Sequence, residues 1–367
     1  MRVKAAVATA PHQPLTIDEV QLEQLRPDEV RVRIAGAGVC HSAVLARDQH
    51  YPVPLPAVLG DEGSGIVEAV GSAVHSSSVG DHVVLGFNSC GQCAQCRVGH
   101  PSSCQEFFRY NFGGYRPDGT TPIAVDGKPA AGRFFGQSSF AAHVHVPERI
   151  AVKVAPEAPI ELLGPLGCGI MTGAGATLNV LRPQPGDSFA VFGTGAVGFA
   201  GLLAAKASGC SPIIAIDVSA SRLNLARELG ATHLINSADT DPVEKIRSIT
   251  HGAGVDAAFD AVGISDVFVQ MTESLASRGH GALAGAPQPG DRASIDVGRL
   301  LFTGQRLSMV IEGDAVPHEF VPRLVRLYQD GLFPFDRLIK TYPLDQINDA
   351  LADATSGATV KPVVTFT

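Results

Sequence analysis

Before Ile150 the chain is built from short runs in which apolar and polar residues alternate, such as Glu29-Val-Arg-Val-Arg-Ile34 and Gly65-Ile-Val-Glu-Ala-Val70. A period of two predicts half-buried strands, and the turn residues between them predict a rolled, mostly antiparallel β domain. The opening Met1-Arg-Val-Lys-Ala-Ala-Val7 reads as its first strand. Beyond Pro183 the pattern changes. Apolar runs such as Ser188-Phe-Ala-Val-Phe192 and Pro212-Ile-Ile-Ala-Ile216 alternate with helical stretches, among them 199–205 and 220–229. Strands apolar on both faces, joined by crossover helices, predict a parallel sheet. A helix over 320–328 and a last strand, Pro362-Val-Val-Thr-Phe366, close the chain. The predicted fold class is therefore α/β, with a mostly β part and a doubly wound part.

Length supports that division, because 367 residues exceed one typical core. A hydrophobic content of 45% and 40 glycines suit a compact, turn-rich protein. A net charge of −8 argues against a nucleic-acid partner. No apolar run reaches the roughly 18–20 residues of a membrane span, so no membrane partner is expected. The first residues lack the apolar core of a secretory signal, and a cytoplasmic location is the expectation.

Four of the seven cysteines fall within fifteen positions, as Cys90-Gly-Gln-Cys93-Ala-Gln-Cys96 and then Cys104. Two-residue gaps let successive thiolates converge on one ion, and four thiolates complete a closed tetrahedral zinc site. Local disulfides are the alternative, disfavoured by the tight spacing and the expected compartment. A closed site has no position for chemistry, so this lobe is scaffold. Cys210 stands apart and reads as a small buried residue.

A second motif follows the strand 189–192. In Gly193-Thr-Gly195-Ala-Val-Gly198, Gly193 allows a tight turn and Gly195 lets a pyrophosphate approach a helix N-terminus. Gly198 lets helix and strand pack closely. Asp217 ends the next strand 24 residues after Gly193, where a carboxylate accepts ribose hydroxyls and repels a 2′-phosphate. NAD is favoured over NADP. Arg222, five residues on, reads either as an adenosine contact or as a solvated helix charge.

Three further segments are Gly38-Val-Cys40-His41-Ser42, Val58-Leu-Gly60-Asp61-Glu62-Gly63 and Gly164-Pro-Leu-Gly-Cys168-Gly169. With the cysteine lobe and the glycine motif, they resemble the zinc-dependent medium-chain alcohol dehydrogenases. The resemblance runs in order through to Ser356-Gly-Ala-Thr-Val-Lys361. Arg47-Asp-Gln, Tyr51-Pro-Val-Pro-Leu-Pro56 and Glu312-Gly-Asp resemble the aryl and allylic branch of that family, the benzyl alcohol and geraniol dehydrogenases.

That resemblance implies a GroES-like catalytic domain over 1–169, with a structural zinc lobe at 86–105. It also implies a Rossmann NAD-binding domain over 170–311 and a return to the catalytic domain over 312–367. The implied reaction is hydride exchange between NAD and a primary aromatic or allylic alcohol, or its aldehyde. Two zinc ions per subunit and a homodimer or homotetramer are implied as well. Family members hold the catalytic zinc through Cys, His and Cys. Cys40 and Cys168 match the cysteines, but Asp61 stands where the family has histidine, and Ala43 replaces the Asp that usually supports that histidine. One carboxylate and two thiolates surround the metal in either arrangement, so Asp61 is read as a ligand compensated by Ala43.

Glu62 matches a family glutamate that can approach the metal, and Ser42 matches the hydroxyl that begins the proton relay. His41 and Lys361 match basic positions near the cofactor phosphates. Leu45 stands where some members carry a relay histidine. Phe87 and Phe140 are candidate walls of an apolar substrate cleft. The main alternative is an NAD(P)H-dependent reductase of activated C=C or C=O bonds with an atypical or absent catalytic zinc. A lesser one is a non-catalytic NAD-binding protein.

Overall fold

The computed structural model describes residues 1–288 and 290–366. Two compact units divide the chain. One comprises Met1–Gly169, Val316–Gln329 and Asp336–Thr367, and the other Ile170–Ala315 and Asp330–Phe335.

The first unit is a pair of sheets. A five-stranded sheet runs Ala57–Val58, Arg2–Ala8, Thr16–Leu22, Ile123–Val125, Lys128–Ala130. In the second sheet, Glu29–Gly38 pairs antiparallel with Gly63–Val70, His143–Pro147 and Lys361–Thr365. The alternation read from the sequence sets the inward face, since Val30, Val32 and Ile34 are fully buried. Register shifts beside Val32 and Gly36 bend Glu29–Gly38 as it approaches Cys40. This is the GroES-like arrangement.

The second unit is a six-stranded parallel sheet in the order His233–Asn236, Ile213–Asp217, Phe189–Phe192, Val255–Asp260, Leu275–Leu283, Arg306–Met309. Numbered along this unit the order is 3-2-1-4-5-6, the doubly wound Rossmann topology. Its core packs Phe192, Ile214, Ile216, Val255 and Met271 among others. The helix Ala196–Ala207 is buried continuously from Gly198 to Ala205, so its sequence shows no polar stripe.

This unit extends to Ala315 rather than ending at 311, and it takes back Asp330–Phe335 from the terminal segment. The physical cause of the first difference is close packing at Gly313. Its carbonyl accepts from Asn179 Nδ2 at 3.1 Å, and a Cβ on Gly175 would lie 2.4 Å from that oxygen. Among the described residues no helix is long and apolar enough to cross a membrane.

Candidate functional site

The four clustered cysteines sit around two short turns. Cys93 precedes the helix Ala94–Arg97, and Cys104 follows the turn Pro101–Ser103. All four Sγ atoms lie within 4.8 Å of one another. Cys90 and Cys96 are 3.9 Å apart, far beyond the roughly 2.05 Å of a disulfide. Backbone amides aim at the sulfurs, from Cys93 and Gln92 to Cys90 and from Cys90 and Glu106 to Cys104, at 3.3–3.5 Å. Four sulfurs converging within reach of a common centre, two of them met by backbone amides, fit a four-thiolate zinc.

A second group brings together Cys40, Asp61 and Cys168, whose donor atoms also lie within 4.8 Å of one another. Cys40 precedes the helix His41–Arg47, Asp61 and Glu62 precede the strand Gly63–Val70, and Cys168 precedes the helix Gly169–Gly175. The two sulfurs are 4.0 Å apart, and Cys168 Sγ is 3.5 Å from Asp61 Oδ2. Ser42 Oγ donates to the same Oδ2 at 2.5 Å. Asp61 is fully buried and its Oδ1 has no partner among the described residues. Burial first, then the nearby Glu62 charge, push the Asp61 carboxyl up to about 6. A buried carboxylate with an orphan oxygen beside two thiols fits a divalent cation, the partner that would offset its desolvation.

Glu62 is also fully buried. Its Oε1 accepts from Lys361 Nζ at 2.7 Å and from the Gly169 amide at 3.0 Å, and Oε2 has no partner among the described residues. Lys361 is 3% exposed and also donates to the Val39 carbonyl at 3.3 Å. Burial works against its charge, but Glu62 and the Cys40 and Cys168 sulfurs outweigh it and raise its pKa. The ammonium that the resemblance placed near the cofactor phosphates donates here to a buried carboxylate. His41 opens its helix and is exposed, and Ala43 is buried beside it. Phe87 and Phe140 are both buried, Phe140 completely.

One organiser of this site has no sequence signal. Gln137 Nε2 donates to the Asp61 carbonyl at 3.0 Å, and its Oε1 accepts from the Gly63 amide at 2.9 Å. It braces the Asp61–Glu62 turn from 76 residues away, beyond the reach of any local pattern.

At the glycine motif, Gly193 has φ +83° and its amide donates to the Ile216 carbonyl at 2.8 Å. Gly198 packs so tightly that an added Cβ would sit 1.8 Å from the Gly193 carbonyl oxygen. A Cβ on Gly195 would meet nothing within 4 Å. Open space above an amide-lined helix start is what a dinucleotide phosphate requires. Asp217 Oδ2 accepts from the Thr194 amide and hydroxyl, both at 2.7 Å, and its Oδ1 from the Ser219 amide at 2.9 Å. Asp217 therefore also ties the glycine loop to the second strand. Arg222 is half-buried in the first turn of Ala220–Leu229. Asp260, absent from the sequence reading, caps the Val262 and Gly263 amides at 2.8 and 3.1 Å.

Two family models match this chain, Zinc-binding dehydrogenase over residues 196–330 and Alcohol dehydrogenase GroES-like domain over residues 26–156. A geraniol dehydrogenase of Castellaniella defragrans is 45% identical over 99% of this chain and 97% of its own length. The chain belongs to the zinc-binding alcohol dehydrogenases. Its structure superposes on a benzyl alcohol dehydrogenase from Acinetobacter calcoaceticus with a TM-score of 0.96 and 46% identity, each chain covered completely. A zinc-binding-domain alcohol dehydrogenase from Burkholderia ambifaria gives a TM-score of 0.98 and 50% identity over 100% of this chain and 99% of that one. As an alcohol dehydrogenase of this family, the protein is a zinc- and nicotinamide-dependent oxidoreductase of small-molecule alcohols.

Proposed function

We propose that this dehydrogenase oxidises primary aromatic or allylic alcohols with NAD, and reduces the corresponding aldehydes, using two zinc ions per chain. The observation that carries the reading is the convergence of Cys40, Asp61 and Cys168 in a chain 45% identical to a geraniol dehydrogenase along its full length. The likeness to a benzyl alcohol dehydrogenase supports the substrate class. Cys90, Cys93, Cys96 and Cys104 would hold the structural ion. Asp217 supports NAD over NADP, because a carboxylate already buried at the end of its strand repels a 2′-phosphate.

Cys40, Asp61 and Cys168 would hold the catalytic ion, with Asp61 Oδ1 the oxygen free of partners among the described residues. When bound, zinc supplies Lewis acidity that lowers the pKa of an alcohol hydroxyl, and NAD is the hydride acceptor. Ser42 Oγ, held on Asp61 Oδ2, is the hydroxyl placed to take up the alcohol's proton. Lys361 and the Gly169 amide keep Glu62 fixed beside the donor set. Gly195 and the helix start behind it receive the pyrophosphate, with Arg222 as an accessory contact.

Exposed Val297, Leu301 and Phe302, near the outermost strand Arg306–Met309, support a homodimer or homotetramer. Two donor sets built on thiolates, which must stay reduced to hold a metal, support the reducing cytoplasm as its location. The deciding experiment is zinc stoichiometry in the wild type and in Asp61→Ala, with NADH formation from benzyl alcohol and geraniol. Two ions per chain falling to one, with turnover lost, is the expected result. Unchanged zinc content and turnover would remove Asp61 from the ligand set.

A further inference from the structure

Away from both cysteine clusters, the β unit buries more positive than negative charge. Arg116 and Arg133 are 6% and 5% exposed, and both bind one carboxylate, Glu29, itself 2% exposed. Arg116 Nε and Nη2 reach the two Glu29 oxygens at 2.7 and 3.0 Å, and Arg133 Nη2 donates to Glu29 Oε1 as well. Arg133 Nη1 donates to the Gly136 carbonyl at 3.0 Å, while its buried Nε has no partner among the described residues. Two guanidiniums thus share a single buried carboxylate.

The nearby carboxylates do not restore the balance inside. Arg26 spends Asp118 at 2.7 Å and Arg109 spends Glu106 at 3.3 Å, all at exposed or half-buried positions. Glu23 approaches Arg116 only to 3.7 Å and is half-exposed, and Asp28 is exposed. Buried His145 lies close enough to feel Glu29, Arg116 and Arg133. Burial chiefly, opposed by Glu29, lowers its pKa to about 4, so it stays neutral near pH 7. Arg149 has no carboxylate within ion-pair distance among the described residues, and its guanidinium donates to the Ser89 carbonyl at 2.8 Å.

Arg109, Arg116, Arg133 and Arg149 line one cavity of about 90 Å³, together with the carboxylates Asp28 and Glu29. We propose that this cavity is a binding site for a small oxyanion, of the phosphate or carboxylate class. A planar guanidinium fork matches either anion, and a bound anion would neutralise the charge that Glu29 leaves over. The site shares no residue with the donor sets or the glycine motif. It does touch the cysteine lobe, because Asn88 lines the cavity and Arg149 holds the carbonyl next to Cys90. Anion binding therefore braces the root of the four-thiolate lobe.

Equilibrium dialysis of the zinc-loaded protein tests this, with labelled inorganic phosphate and, separately, acetate at fixed ionic strength. NADH is added throughout so that the glycine motif does not contribute. One equivalent of at least one anion per chain is expected, weakened by roughly ten-fold or more in Arg149→Ala and in Arg109→Ala. Both positions are exposed, so the variants keep the fold, and Arg149→Lys should recover part of the affinity by restoring charge without the fork. Phosphate binding alone assigns the site to the phosphate class, and acetate alone to carboxylates. Stoichiometric binding of neither anion, or binding unchanged in both alanine variants, overturns the proposal.

Discussion

Lys361 and Glu62 make an ion pair that water barely reaches, at 3% and 0% side-chain exposure. Removing one partner leaves the other charge buried alone, which costs far more than the pair contributes. Lys361→Met should lower unfolding free energy by about 3–5 kcal/mol in urea titration, and adding Glu62→Gln should restore most of it. An equal loss in the double variant would mean that packing, not charge, is responsible. His145 sets a second residue-level expectation. It is 2% exposed, both ring nitrogens lack partners among the described residues, and burial depresses its pKa to about 4. With the folded pKa below the unfolded value, its contribution is complete above about pH 6.5 and is lost as pH falls toward 4. About 3 kcal/mol of acid sensitivity belongs to this group, so His145→Leu should flatten the stability profile between pH 6.5 and 4 by that order. Neither role was legible in the sequence. Lys361 and Glu62 stand 299 positions apart, beyond the reach of any local pattern.

Elements were far more legible, because their signals are local. The helix Ala220–Leu229 has the bounds its pattern predicts, with Ser219 Oγ capping the Arg222 amide. The helix expected over 199–205 begins earlier, at Ala196, because Ala196 to Gly198 form its first turn. Here the two outer glycines and the middle one separate cleanly. Gly195 has φ −76° and open space, so Gly195→Ala should leave the melting temperature nearly unchanged. Its cofactor affinity should nevertheless fall by roughly ten-fold or more, read by NADH fluorescence titration. Gly198→Ala should lower both, since its Cβ would sit 1.8 Å from a carbonyl oxygen. If Gly195→Ala bound NADH as tightly as wild type, the phosphate would not lie where the motif implies. The Gly313 packing that extends the cofactor unit to Ala315 carried no such local signal, since its partners are Gly175 and Asn179.

For the whole molecule the two donor sets should part company under chelation. Four thiolates close a shell, whereas two thiolates and one carboxylate leave a position through which a chelator can enter. Timed treatment with a chelator should release one zinc equivalent early, together with activity. The second should leave later, with increased proteolytic cutting within 86–105. Simultaneous release would argue against two sites of different closure. The cysteine spacing, the glycine motif and the Asp61–Ala43 exchange were determined by the sequence alone, because ligand type and short spacing are properties of the chain itself. Only the tertiary structure decided that Ser42 and Cys168 meet Asp61, that Gln137 braces its turn and that Lys361 turns inward to Glu62. Those contacts join residues 19 to 299 positions apart, and a buried charge takes its partner from whatever the fold brings near it.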